Sequence, residues 1–249
     1  MTASLTSCLA FDTATEHLSI ALRVGDAIWS HEGPGGALAS ATLIPGIMDL
    51  LAQAGIGLPD LDAIAFGRGP GAFTGLRTAC SVAQGLAFGA DKPVLPIDTL
   101  LAVAEDARIG GACDDLWVVM DARMDEIYAA HAVFESGRWR YAVVPFLGSP
   151  QDLNERWRTE PPLALAGSAL SAFGERLDGG AAQRWPAALP RARAMLPLAA
   201  ALWSQGGAVD AAQALPLYLR DKVAQTMAER AALKASKDAL VTATGGVAT

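Results

Sequence analysis

Two aspartates stand at matching places in the chain, each at the end of a short apolar run. Asp12 ends the run that starts at Cys8, and Asp121 ends the run that starts at Leu116. Carboxylate oxygens bind Mg²⁺, so the two acids could together serve a Mg-nucleotide. The candidate residues for such a site are Asp12, Thr13, Asp121 and Arg123.

The same two acids have a structural alternative. An aspartate often accepts a hydrogen bond from the backbone N–H two residues further on and thereby stabilises a turn. In that case Asp12 would accept from Ala14, and Asp121 would accept from Arg123. The Arg123 guanidinium could also form an ion pair with Asp121 or with Glu126.

A glycine-rich segment provides the second candidate site. Between a predicted strand and a predicted helix the chain reads Gly67-Arg-Gly-Pro-Gly-Ala-Phe-Thr-Gly-Leu-Arg77. A glycine loop that opens a helix exposes backbone N–H groups and can hold an anion, although tight turns alone could explain the glycines. The segment matches neither a Walker A loop nor the Rossmann fingerprint. Thr74 is the expected helix N-cap. The site residues expected here are Gly67, Arg68, Gly69, Pro70, Gly71, Thr74, Gly75 and Arg77.

The metal-binding and nucleophilic residue types do not form recognisable motifs. The three histidines, His17, His31 and His131, have no histidine partner four residues away, which is the spacing that places two imidazoles on one helical face. The three cysteines are far apart, which favours a reducing compartment, and Cys80 is expected to be buried in a helix. No Gly-x-Ser-x-Gly sequence is present. We therefore expect neither a metal site nor a hydrolytic centre.

The elements that must position these residues repeat along the chain. In each half a buried strand ending in aspartate is followed by a turn and two further strands, and βα units come next. The predicted class is α/β with two matching lobes. The predicted divisions are an N-terminal lobe at 1–108, a C-terminal lobe at 109–220 and a helix-prone tail at 221–249.

Two helices of the first half have surfaces that a partner could cover. Residues 39–54 carry an unusually wide apolar arc, with Pro45 either kinking the helix or marking its first turn. Residues 74–88 carry small residues at four-residue spacing. Burial against the protein's own sheet is the alternative for both helices. The predicted interface residues are Leu43, Ile44, Ile47, Met48, Leu51, Gly75, Ala79 and Ala83.

Composition excludes several classes of protein. Hydrophobic residues make up 52% of the chain and charged residues 18%, which excludes a disordered polymer. The net charge of −7 argues against a stand-alone nucleic-acid binder or a protein that docks on anionic membranes. No signal peptide and no uninterrupted apolar stretch long enough to span a bilayer is recognised, so a cytoplasmic location is expected.

Several motifs together resemble those of a known family. In chain order they are Phe11-Asp-Thr-Ala-Thr15, the Gly67–Arg77 loop, Ala83-Gln-Gly-Leu86, Met120-Asp-Ala-Arg-Met-Asp-Glu-Ile-Tyr128 and Pro216-Leu-Tyr-Leu-Arg220. This combination resembles the TsaB family, also called YeaZ, of bacterial tRNA threonylcarbamoyladenosine biosynthesis proteins. The resemblance implies a duplicated two-lobe fold of the actin-like, sugar-kinase and Hsp70 ATPase type, which is ribonuclease H-like.

The resemblance also implies a function. The protein would be a non-catalytic scaffold that pairs with a TsaD-like paralogue and works with a TsaE-like ATPase to form N6-threonylcarbamoyladenosine at position 37 of tRNA. Contact with tRNA would come only through the complex, and a homodimer is an alternative assembly. No cofactor would be required. The His-x-x-x-His pair that binds metal in the catalytic paralogue is absent from 37–45.

Two further features bear on function, the first favouring packing over chemistry and the second leaving nucleotide binding open. At the start of this helix Ala39, Ser40 and Ala41 stand where many family members carry His-Ser-Glu, so a role of those side chains is lost here. In active members of the fold class, acids like Asp12 and Asp121 position metal and phosphate. Weak Mg-nucleotide binding therefore stays an alternative, as does a stand-alone ATPase or phosphotransferase of the same fold.

Overall fold

The computed structural model describes residues 4–220, and the predicted tail at 221–249 lies outside the described residues. A five-stranded sheet forms the core of the first half, with the strand order β3-β2-β1-β4-β5. Strand β2 is antiparallel to its neighbours β1 and β3, whereas β4 and β5 run parallel to β1. The strands are β1 (Ser7–Asp12), β2 (His17–Val24), β3 (Ala27–Pro34), β4 (Ala63–Gly69) and β5 (Val94–Asp98).

The second half repeats this sheet. Its strand order is β10-β9-β6-β7-β8, which is the first order with each strand replaced by its counterpart. The strands are β6 (Asp115–Asp121), β7 (Ile127–Glu135), β8 (Arg138–Gly148), β9 (Ala164–Ala166) and β10 (Gln183–Trp185). Two sheets of identical topology confirm the predicted duplicated two-lobe fold of the actin-like, ribonuclease H-like class.

Six α-helices cover the two sheets in the described part of the chain. They are α1 (Ala39–Ala54), α2 (Phe73–Ala90), α3 (Thr99–Ile109), α4 (Pro150–Thr159), α5 (Ala169–Phe173) and α6 (Ala192–Ser204). Helices α1 and α2 cover one face of the first sheet, where Leu43 and Ala83 join a cluster with Leu9 and Phe11. Helices α4 and α5 pack on the second sheet.

Helices α3 and α6 pack across the division between the halves. Although α3 follows the first sheet, its Val103 and Ala107 pack with Val118 of the second sheet. Helix α6 follows the second sheet, yet Met195 packs with Ala10 of the first. Residues up to Leu219 consequently form one compact unit, and a lobe boundary at 108/109 stays a prediction.

Two local features differ from the sequence-based expectations. Helix α2 begins at Phe73 with Ala72 as its N-cap, so the prediction that Thr74 caps it is wrong. Ala72 is fixed there because its N–H donates to the carbonyl of Ala14 at 2.8 Å. Pro45 lies inside α1 rather than in its first turn. Both Pro45 and Ala41 are exposed, which makes the missing backbone hydrogen bond between them tolerable.

Helix α4 and strand β10 were not predicted. Helix α4 nevertheless carries a readable start signal, because Ser149 and Asp152 form a reciprocal capping box.

One segment, Gly36–Ala54, is long and apolar enough to cross a membrane by length and composition alone. A core helix passes the same test, and Leu43, Ile47 and Leu50 of α1 are buried against the first sheet.

Candidate functional site

Asp12 lies at the carboxyl end of β1 with no exposed surface. One carboxylate oxygen accepts the N–H of Ala14 at 2.7 Å, which confirms the predicted aspartate turn, and the other accepts the Thr99 hydroxyl at 2.9 Å. Burial raises the pKa of Asp12 to about 6, although its two hydrogen bonds oppose the shift. A Cβ at Gly67 would lie 1.8 Å from this carboxylate, so only glycine fits beside Asp12.

The glycine loop closes on the β1–β2 turn, which we define as residues 13–16. The hydroxyl of Thr13 donates to the carbonyl of Gly75 at 2.7 Å. A Cβ at Gly75 would lie 1.9 Å from the carbonyl oxygen of Thr13. Gly71 packs against Ala14 in the same way. At these positions the glycines permit the close approach of the β1–β2 turn, which a side chain would prevent.

The start of the loop is tied to the end of β5. The N–H of Gly69 donates to the Thr99 hydroxyl at 3.2 Å. Arg68 forms an ion pair with Asp98. The same carboxylate accepts the Tyr141 hydroxyl from the second sheet at 3.1 Å. The loop therefore joins the two halves through Asp98, and the Gly69 amide is already bonded within the protein.

The remaining loop residues face the surface to different degrees. Pro70 is buried and Thr74 is exposed. The Arg77 guanidinium lies 3.9 Å above the Phe73 ring and donates to the Tyr218 hydroxyl at 3.3 Å. Arg77 therefore belongs to a contact between α2 and the end of the described chain.

The segment at residues 214–219, which we call the strap, runs along the glycine loop and α2. The carbonyl of Ala214 accepts the Gln84 side-chain amide at 2.9 Å. The N–H of Leu217 donates to the carbonyl of Arg68 at 2.6 Å. The strap thus covers the side of the glycine loop that the β1–β2 turn leaves open.

Asp121 occupies the equivalent place at the end of β6 and is only partly exposed. Its carboxylate accepts the N–H of Arg123 at 2.8 Å, which confirms the second predicted aspartate turn. The ion pair of Arg123 with Asp121 that was considered forms, at 3.3 Å. Arg123 also pairs with Glu16 of the β1–β2 turn at 3.0 Å, a contact that was not predicted.

The β6–β7 turn, defined as residues 122–126, has a strained backbone. Arg123, Met124 and Asp125 have φ angles of +60°, +56° and +63°. A left-handed conformation costs a residue with a side chain about 1–2 kcal/mol. Surrounding contacts must therefore hold this turn.

Other chemistry-bearing residues do not converge. Within residues 4–220, no group of three or more His, Cys, Asp or Glu side chains is placed to hold a metal ion. Cys80 is buried, as expected, and its thiol donates to the carbonyl of Ala214. His131 contacts Asp115 at 2.7 Å and stacks on the Trp117 ring.

The predicted interface residues separate into a buried set and an exposed pair. Ile44 and Met48 of α1 are 46% and 49% exposed. The buried members, which pack inside the first half, are Leu43, Ile47, Leu51, Gly75, Ala79 and Ala83. The small-residue row of α2 is therefore a close-packing feature of the core, and its assignment as interface surface is corrected, because a side chain without exposed surface offers nothing to a partner.

An apolar surface remains on the same two helices. Leu38, directly before α1, is 55% exposed, and Phe88 near the end of α2 is 85% exposed. We call these exposed side chains of the two helices, Leu38, Ile44, Met48 and Phe88, the α1–α2 face. Charged residues are rare beside it, since α1 contains only Asp49 and α2 only Arg77. Low charge with exposed apolar side chains is typical of the centre of a protein interface.

Replacing Gly75 with alanine is expected to destabilise the fold by about 3 kcal/mol or more, because the new Cβ cannot coexist with the Thr13 carbonyl 1.9 Å away. Urea unfolding would measure the loss. Gly85→Ala on the same helix is the matched control, since a Cβ there meets nothing within 4 Å. The control should be neutral or gain up to about 1 kcal/mol. Equal stability of both variants would contradict the loop packing.

Sequence reasoning missed several residues of this region. Thr99 and Asp98 contact the loop, and Glu16 pairs with Arg123. A signal for the first two was available, because β1, β4 and β5 are parallel and their carboxyl ends meet at one edge of the sheet. No sequence signal marks Glu16 or Phe88.

Comparison with known proteins gives consistent matches. A sequence profile of the TsaD family, described as tRNA N6-adenosine threonylcarbamoyltransferase, matches residues 37–152. The tRNA threonylcarbamoyladenosine biosynthesis protein TsaB of Haemophilus influenzae is 36% identical over 230 residues, covering 86% of this chain and 94% of that protein. TsaB of Escherichia coli is 32% identical over 231 residues, covering 87% and 95%.

A solved structure is similar over the same part of the chain. The structure of YeaZ from Pseudomonas aeruginosa superposes with a TM-score of 0.77 and 37% sequence identity. The match covers 86% of this chain and all of that one. Sequence and structure comparisons therefore point to the same relatives over nearly their full length.

Proposed function

This chain belongs to the TsaB family, and from that premise we propose that it acts in threonylcarbamoyladenosine biosynthesis on tRNA as a non-catalytic scaffold in the cytoplasm. Its partner in this proposal is a TsaD-like paralogue, the protein that carries out the transfer, and a TsaE-like ATPase works with both. The match of the TsaD profile to residues 37–152 supports a partner of related fold. The relatives' names support the pathway.

The observation that carries the non-catalytic role is the closure of the loop region. Asp12 has no exposed surface, and both of its oxygens accept hydrogen bonds from the chain itself. The glycine loop is filled by the β1–β2 turn and by the strap at 214–219. A substrate or Mg-nucleotide would have to displace these contacts before reaching Asp12.

The α1–α2 face supports the scaffold role. It presents four large apolar side chains, while the sheet-facing sides of the same helices are fully occupied by the core. In the proposal this face docks on the TsaD-like paralogue, and a second copy of the chain could compete for it. The net charge of −7 supports tRNA contacts through the complex rather than through this subunit alone.

The experiment that tests the function is nucleoside mass spectrometry of tRNA from cells depleted of this protein. We expect threonylcarbamoyladenosine to disappear and to return when the intact gene is restored. Unchanged levels would refute the proposal. Calorimetric titration of the isolated chain with Mg-ATP would then address the alternative, a stand-alone ATPase or phosphotransferase, which requires saturable binding.

Replacing Ile44 or Met48 with glutamate is expected to weaken association with the TsaD-like paralogue by at least about 30-fold, the effect of losing an interface anchor. Because both side chains are about half exposed in the free chain, the melting temperature should change little. Calorimetry with the purified paralogue measures the affinity. Gln53→Glu adds the same charge at an exposed position of α1 and should bind normally. Full binding by both test variants would remove the α1–α2 face from the proposal.

A further inference from the structure

The two strand-connecting turns of the two halves touch each other through an arginine. The Arg123 guanidinium in the β6–β7 turn contacts Asp121 of its own half at 3.3 Å and Glu16 of the first half at 3.0 Å. The same side chain thus connects the ends of the two halves at which Asp12 and Asp121 stand. Glu16 and Arg123 are both exposed, so solvent reaches the contact.

The β6–β7 turn is built to hold Arg123 in place. Its three left-handed residues are closed by backbone bonds between Ala122 and Glu126 at 2.9 Å and between Glu126 and Arg123 at 3.1 Å. Asp125 then forms a two-point ion pair with Arg176 at 2.6 and 2.7 Å. The left-handed backbone of the β6–β7 turn is therefore held by a hydrogen bond to Arg123 on one side of Met124 and by the ion pair of Asp125 on the other.

Glu16 is in turn packed against the entry to α1. The N–H of Gly35 donates to the carbonyl of Glu16 at 2.8 Å. A Cβ at Gly36, whose φ is +59°, would lie 2.8 Å from the Glu16 carboxylate. A Cβ at Gly35 would lie 2.7 Å from the Thr15 carbonyl. Any displacement of Glu16 therefore acts on the backbone from which α1 starts.

We propose that Glu16 and Arg123 are positioning residues that transmit the placement of the second half to the start of α1. This proposal rests on the proposed function, because α1 carries half of the α1–α2 face. The ion pair contributes little to global stability because it is exposed. Its effect is local, since a helix start opens at far lower free energy than the whole domain.

Hydrogen exchange of the full chain without any partner tests the coupling. In Arg123→Met we expect amides of residues 36–44 to exchange at least fivefold faster, while amides of β4 and β5 keep their wild-type rates. Glu16→Gln, which keeps the side-chain shape over Gly36 and removes only the charge of the pair, should accelerate exchange of the same amides, but less than Arg123→Met does. The double variant should match Arg123→Met, because that single variant has already lost the contact with Glu16. Arg123→Lys should restore part of the protection.

The matched control is Arg140→Met. It removes a pair of similar exposure, Arg140 with Glu135 at 2.8 Å, that does not touch the β1–β2 turn, so residues 36–44 should be unaffected. Unchanged exchange in Arg123→Met, or effects that multiply in the double variant, would overturn the proposal. Affinity of the wild type for the TsaD-like paralogue is measured separately. If the wild type did not bind the TsaD-like paralogue, the proposed function would be refuted, whereas the conclusion from hydrogen exchange would be unaffected.

Discussion

Replacing Ala79 with glutamate is expected to unfold the protein. Ala79 has no exposed surface and packs in the cluster that contains Leu9 and Phe11 between α2 and the first sheet. A buried carboxylate without a partner costs several kcal/mol, and the larger side chain adds overpacking. Because single domains are stable by only about 5–15 kcal/mol, we expect a loss of at least about 5 kcal/mol. Circular dichroism during thermal unfolding would show it.

The control for this variant lies two residues away on the same helix. Ser81 is exposed, so Ser81→Glu should change stability by no more than about 0.5 kcal/mol. If Ala79→Glu melted close to the wild-type temperature, α2 would not pack as described. The contrast also decides which variants can test partner binding. Loss of binding by an Ala79 variant would reflect unfolding, whereas loss of binding by an Ile44 or Met48 variant would reflect a change in the α1–α2 face.

Replacing Asp12 with asparagine is expected to give a variant whose stability relative to the wild type rises as the pH rises from 4 to 7. The pKa of Asp12 is about 6 in the folded chain against an ordinary value of 3.8, because burial disfavours the charged form. Between these values the unfolded chain loses the proton while the folded chain keeps it. The favourable contribution of the protonated acid is therefore complete below pH 3.8 and is lost as the pH rises through about 6.

The size of this effect follows from the shift. A difference of about two pKa units corresponds to about 3 kcal/mol. Asparagine keeps the acceptor for Ala14 and cannot ionise. The stability difference between Asp12→Asn and the wild type should thus change by about 3 kcal/mol in favour of the variant between pH 4 and pH 7.5, measured by urea unfolding. A difference independent of pH would show that Asp12 is solvated.

Asp62 provides a control of opposite sign. Burial alone would raise its pKa, but hydrogen bonds from Ser7 and Thr6 outweigh burial and lower it. The stability that Asp62 supplies is present above its ordinary pKa and is lost as the pH falls. Asp62→Asn should therefore be destabilising at pH 7 and approach the wild type at low pH.

Hydrophobic periodicity predicted most of the fold because β1 and β6 each contain an apolar run that ends in aspartate and β2 carries Leu18, Ile20 and Leu22 at every second position. Strands β1 and β6 are runs of buried residues ending in aspartate, and this repeated pattern revealed the duplication. Strand β10 has only three residues and little burial, so it left no periodic signal. Helix α4 was missed although its capping box is readable, because its polar surface masks the apolar period.

The residues of the candidate site could be predicted from the sequence. Whether the glycine loop is open to a ligand or closed by another segment of the chain could not. Asp12, the glycine loop and the aspartate turns were found from type and spacing. Whether the glycines hold an anion or admit a neighbouring segment depends on which backbone lies against them, and that backbone belongs to Thr13, Ala14 and Leu217. The apolar arc of α1 was likewise recognised. Deciding that Leu43 is buried and Ile44 is exposed requires knowing which side of the helix faces the sheet.

The packing of α6 on the first sheet has a consequence for synthesis on the ribosome. The N–H of Ala192 at the start of α6 bonds the Ser19 hydroxyl, 173 residues earlier in the chain. Until α6 emerges, most of one face of the first sheet, which includes Cys8, Ala10, Ala63 and Leu95, stays uncovered, because Ala102 of α3 alone joins this cluster from an earlier helix. Because translation adds about 5–20 residues per second, this apolar surface stays open to chaperones for several seconds on every nascent chain. Truncation before α6 would leave it open permanently.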